Sequence, residues 1–175
     1  QVALRPIKGF QALQEQSDKA AETGRGVHLS LGRADLGGQG NPVSIAALEA
    51  LDFLAESGAR SDTTPLVTVG DRTLLLAAQD SHRAALVEAG RPADYTPDMA
   101  QFLAGRDFAM SYAAGVSDIV NRGDLGSNLL LGRFGSEVAI MAEAGERGQL
   151  EQVIGSDDPL AMAVGAAMTD RVLIG

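Results

Sequence analysis

Five short aliphatic stretches recur along this 175-residue chain, and each runs into a glycine: VHLSLG, PLVTVG, NLLLG, EQVIG and RVLIG, closing at Gly32, Gly70, Gly132, Gly155 and Gly175. They are too short for fully buried helices, and they lack the polar alternation of a strand with one wet face. Strands of a parallel sheet covered on both sides have this pattern. Parallel neighbours cannot be joined by a tight hairpin, so a helix has to cross between them. The segments in between carry helix signals. A cap residue followed by proline marks helix starts at Asn41-Pro42, Thr96-Pro97 and Asp158-Pro159, where the missing proline N–H has no intrahelical partner to lose. Glycine marks the ends: Gly24 after an amphipathic first segment, Gly58 after the helix from Pro42, and Gly90 after HRAALVEAG. Residues 97–122 read as helix, interrupted at Gly105 and Gly115. Residues 136–155 fit either a hairpin across GERG or a helix followed by a strand, and the β-then-α rhythm elsewhere favours the helix. The expected fold is one α/β domain over 1–175, a Rossmann-like sandwich with a mainly parallel sheet of about five strands.

Composition restricts the chemistry. Hydrophobic residues make up 45% and aromatics 4%, with no Trp, so the core is aliphatic. There is no Cys, which excludes disulfides, thiolate nucleophiles and thiol-ligated metals. The net charge is −9 and the basic residues are spread along the chain, whereas a nucleic-acid binder needs a cationic stripe. No nucleic-acid partner is expected. No apolar run approaches the roughly 20 residues of a membrane-spanning helix. The chain opens on Gln1 and stops inside RVLIG, so it is expected to be part of something longer, with any membrane segment lying outside it.

In a parallel sheet, ligands sit beyond the carboxyl ends of the strands, where loops and helix N-termini converge. Here those ends are GRADLGGQGNP, GDRT, GRFGSE and GSDDP, which makes Arg33, Gly38, Gly40, Asn41, Asp71, Arg133, Gly135, Ser136, Glu137 and Ser156 candidates for holding a small anionic ligand. The spacing of the known phosphate loops is absent. No lysine follows Lys19, so there is no Walker loop, and Gly38-x-Gly40 continues as Asn41-Pro42-Val43 rather than to a third glycine. Glycines that let a strand bend into a helix explain the first loop more simply. In the third loop, Ser136 as an N-cap, Glu137 favouring the helix dipole and a packed Phe134 account for all three residues without a ligand. Ser156-Asp157-Asp158 offers paired carboxylates to a hard cation, but a helix cap explains it with less. There is no Gly-x-Ser-x-Gly elbow, and neither His28 nor His82 has a partnered serine. No catalytic residue, metal ligand or cofactor is assigned.

At GRGVH (24–28), GRFGSE (132–137), EAG (143–145), VIGS (153–156) and DRVLIG (170–175), the chain resembles a bacterial family of uncharacterised, membrane-tethered proteins, over most of residues 20–175. The resemblance implies a soluble α/β domain beside transmembrane helices outside this stretch, and hence a membrane-associated protein. It implies no activity.

Two functional readings follow. In the first, the chain is a non-catalytic module that binds a ligand or self-associates as a homo-oligomer, alanine-rich segments such as PLAMAVGAAM permitting close packing. In the second, it is an enzyme or sensor that takes a phosphorylated or acidic small molecule at the strand ends, using loop amides with Arg33 or Arg133. The first is preferred, because a full fold signature comes without a catalytic set.

Overall fold

A computed structural model of the protein describes residues 8–34, 36–37, 41–104, 107–169 and 172–174. The elements are α1 (Lys8–Thr23), β1 (Gly26–Gly32), α2 (Asn41–Ser61), β2 (Leu66–Val69), α3 (Arg72–Glu88), β3 (Ala100–Phe102), α4 (Ala109–Arg122), β4 (Leu125–Arg133), α5 (Val138–Arg147), β5 (Glu151–Ser156), α6 (Pro159–Met168) and β6 (Val172–Ile174). They build a six-stranded sheet in the order β3-β2-β1-β4-β5-β6, in which every pairing is parallel. Helices α1 to α3 cover one face around Leu29, Leu31, Val67, Leu129 and Val153. Helices α4 to α6 cover the other around Tyr112, Leu130, Phe134, Met141 and Ile154.

Five of the strands are the aliphatic stretches read from the sequence, and α5 followed by β5 replaces the alternative hairpin. Three expectations are corrected. The first part of 97–122 is not α-helical: Pro97–Met99 makes one 3₁₀ turn, Ala100–Phe102 forms the edge strand beside β2, and the helix starts only at Ala109 and runs through Gly115 to Arg122. Three residues, AQF, are too few to show a period. Thr96 precedes that turn without a side-chain cap. Gly58 does not end α2. The helix runs on to Ser61, and Gly58 is bare because a Cβ there would stand 2.7 Å from the Thr63 carbonyl oxygen as the chain doubles back. The left-handed turn falls to Asp62, at φ 61°. Gly24 and Gly90 do take the left-handed conformation after α1 and α3. Gly105 and Gly175 lie outside the described residues.

The α4–α6 face of the sheet is not purely apolar. His28, Asn128 and Gln152 stand side by side in register across β1, β4 and β5, all buried. Their hydrogen bonds have a fixed direction. Gln152 Nε2 donates to the Ala142 carbonyl (3.0 Å), so its Oε1 faces Asn128 Nδ2 (3.1 Å). Asn128 Oδ1 then faces His28 Nδ1 at 2.7 Å and can only accept, which places the ring proton on Nδ1. His28 Nε2 accordingly accepts from Thr68 Oγ1 at 3.0 Å. One level higher, the Tyr112 hydroxyl donates to the Thr68 carbonyl (3.1 Å) and meets Ser30 Oγ at 2.7 Å. Gly145 of α5 must be bare, since its Cβ would come within 2.3 Å of Gln152 Oε1.

Burial holds His28 neutral, lowering its pKa to about 4 against a smaller opposing pull from the Asn128 hydrogen bond. The unfolded chain takes up a proton near pH 6.5 that the folded protein refuses until about pH 4. Stability is therefore full above pH 6.5 and falls as the pH drops towards 4, by about 3 kcal/mol from this group. Urea unfolding across that window, with the His28 ring followed by NMR and expected to remain neutral at pH 5, checks it.

Candidate functional site

The strand order reverses between β1 and β4, the place where a doubly wound sheet opens a crevice at its carboxyl end. Two glycines bring these strands unusually close there. A Cβ on Gly132, at φ 154°, would lie 2.3 Å from the Leu31 carbonyl oxygen, and one on Gly32, at φ 74°, would lie 2.7 Å from that of Arg133. Gly70, just after β2, is bare for a related reason: the Arg33 stem passes 2.6 Å from where its Cβ would be.

Arg33 leaves the end of β1, and its guanidinium meets the Glu137 carboxylate, Nε at 3.0 Å and Nη2 at 2.6 Å from Oε1. The other carboxylate oxygen accepts the Gly135 N–H at 2.9 Å. Glu137 is 3% exposed and Arg33 17%. The acid is therefore turned inward at the start of α5. The expected N-cap role of Ser136 is corrected. It is exposed and caps nothing with its side chain; α5 opens on the backbone contacts Val138 N to Gly135 O, Ala139 N to Ser136 O and Ile140 N to Glu137 O.

Arg133, Asp71 and Ser156 are engaged within the protein. Arg133 forks onto Asp157, Nε to Oδ1 at 3.1 Å, a hydrogen bond that holds the guanidinium above its ordinary pKa. Asp71 caps α3 by accepting from Thr73 N (2.8 Å) and Leu74 N (3.4 Å). Asp158 caps α6 through Leu160 N and Ala161 N, and Ser156 Oγ accepts the Asp158 N–H. Gly38 and Gly40 lie outside the described residues, as does the side chain of Asn41. Among the described residues no three His, Cys, Asp or Glu gather as they would around a metal ion.

Two features of this rim escaped the sequence reading. Tyr112 is fully buried beneath it, and burial pushes its hydroxyl up to about 12, with hydrogen bonds from Ser30, Thr68 and the Gly32 backbone pulling the other way. Its phenol fills the end of the polar row and offers no acid or base near neutral pH. The second feature is apolar. Helices in a parallel sheet run back against the strands, so each begins at the carboxyl rim, and the exposed large apolar side chains concentrate there. Ile45 and Leu76 are each the fifth residue of their helix, α2 and α3, Phe102 ends β3, Phe108 and Met110 open α4, Ile140 opens α5 and Leu160 opens α6. Val87, near the end of α3, is the exception; it borders a shallow groove between α2 and α3 with Asp52, Asp80 and Arg83. No period marks the apolar rim residues in sequence. They fall together only once the helices are known to start at one end.

The family model described as Domain of unknown function (DUF6754) matches residues 1–175, and the chain belongs to that family. No curated protein matches it, and no solved structure does.

The two arginine pairs differ in burial and hence in weight. Arg133 and Asp157 are 42% and 34% exposed, so Asp157→Ala is expected to cost less than about 1 kcal/mol. Glu137→Gln leaves the enclosed Arg33 charge short of its counter-ion and is expected to cost about 2 to 3 kcal/mol. Chemical denaturation of both variants at pH 7 checks the order.

Proposed function

We propose that this domain is a non-catalytic interaction module that uses the carboxyl rim of its sheet to bind a partner surface, a second copy of itself being the first choice. The observation that carries the reading is the set of exposed apolar residues at the helix starts. Helices α4, α5 and α6 pack in succession, so Phe108 with Met110, Ile140 and Leu160 stand on three neighbouring helix ends. Apolar side chains held exposed together on one rim are a mark of association surfaces. Arg33 with Glu137 and Arg133 with Asp157 are already paired on the same rim, and Asp71 and Asp158 are spent as helix caps, which suits a rigid docking face better than a reaction centre. The resemblance to membrane-tethered bacterial proteins extends the reading: the domain is carried beside membrane-spanning segments and presents this rim outward. No helix among the described residues is itself long and apolar enough to cross a membrane.

A second reading, an enzyme or sensor for an acidic or phosphorylated small molecule, draws support from one contact. Arg33 and the Gly135 amide converge on a single carboxylate, so the crevice is chemically suited to an anion.

Light scattering on a sizing column separates the two readings. The 175-residue chain is expected to run as an oligomer, and Met110→Glu with Leu160→Glu to reduce it to a monomer with its circular dichroism unchanged. A wild-type chain that stays monomeric at high concentration overturns self-assembly.

A further inference from the structure

The first turn of α2 carries an anomaly that the rim contacts do not explain. Ser44 is 0% exposed, and its hydroxyl is the buried side-chain polar atom that has no hydrogen-bond partner among the described residues. A buried hydroxyl left unpaired is costly, and such an atom in a folded protein calls for an explanation. Its position supplies one. Ser44, Ala47, Leu51, Leu54 and Ala55 form the buried stripe of α2 at helical spacing, and this stripe packs on both β1 and β4. Ser44 is the first residue of the stripe, so its hydroxyl faces the carboxyl ends of the two strands between which the sheet order reverses.

The same turn is rich in donors. The first amides of a helix have no intrahelical acceptor, and the N-terminus carries partial positive charge. Pro42 contributes no N–H and the Ser44 N–H makes the first intrahelical bond, which leaves the amides of Asn41 and Val43 free in the turn that carries the hydroxyl. α2 runs for 21 residues, Asn41–Ser61, with no acid in its first turn to occupy the position. The other helix that opens at this switch point, α5, has Glu137 turned in against its entry loop. An oxyanion at α2 would supply what the chain itself provides at α5.

We propose that the first turn of α2 is a phosphate site, in which the Ser44 hydroxyl and the Asn41 and Val43 amides hold a tetrahedral oxyanion at the carboxyl end of β1. Donors that diverge from one helical turn match the separate oxygens of a phosphate better than the two coplanar oxygens of a carboxylate. The ligand class is a small phosphorylated molecule rather than a dinucleotide, since the glycine spacing that admits a pyrophosphate is absent from the loop. This site is independent of the docking reading above.

The test uses the 175-residue chain, titrated with inorganic phosphate and, at equal ionic strength, with sodium chloride and sodium acetate. Phosphate is expected to raise the melting temperature saturably and the other two salts not to. Ser44→Ala is expected to weaken phosphate at least about tenfold, the loss of one hydrogen bond, and in chloride to melt about 2–4 °C above the wild type, because it removes an unpaired buried hydroxyl. A wild-type chain that responds alike to all three salts overturns the proposal. An alanine variant with the full phosphate response, or one that melts below the wild type in chloride, overturns it as well.

Discussion

The Ala142 carbonyl can only accept a hydrogen bond, and that one constraint passes through four side chains. It orients the amide of Gln152, which orients Asn128, which fixes the proton of His28, which leaves Thr68 as the donor to the imidazole. Because every member is satisfied, the row does not weaken the core it interrupts; a half-satisfied row in the same place would. It also specifies the sheet. A strand slipped by one residue turns all its side chains to the opposite face, and for β1, β4 or β5 that would carry His28, Asn128 or Gln152 into the aliphatic layer under α1 to α3. Leucine and valine alone tolerate such slips far better.

Much of this architecture is legible in the chain, for reasons that particular residues make clear. A continuous aliphatic run bounded by glycine has few alternatives to a buried parallel strand, and Asp158-Pro159 has few alternatives to a helix start. What stayed hidden depends on distance in sequence. Nothing near Gly58 announces that Thr63 will fold back on it, so a packing glycine looked like a terminating one. Nothing near His28 announces Asn128, a hundred residues on, so in sequence the histidine shows only that it lacks a partnered serine. The edge strand at Ala100 is set by its neighbour β2 rather than by any pattern of its own.

The candidate site shows the same division. The strand-end loops gave the right neighbourhood, because chain direction alone places them there. The roles within them depend on distant partners, since a carboxylate beside a serine at a helix start can cap from outside or turn inward, and only the arrival of Arg33 from a different strand decides for Glu137. The rim that results is apolar at its edge, with Arg33 and Arg133 each held by a carboxylate of the chain.

The bare flank of α5 has a mechanical meaning. A ten-residue helix is about 15 Å long and nearly rigid, and Gly145 lets its far end settle onto the amides of the sheet. The opposite end of the same rod begins next to Glu137. Any bulk that lifted the helix at Gly145 would tilt it like a beam on its bearing and shift the carboxylate away from the strand it closes, so the interior of the sheet and its outer lip behave as one jointed part.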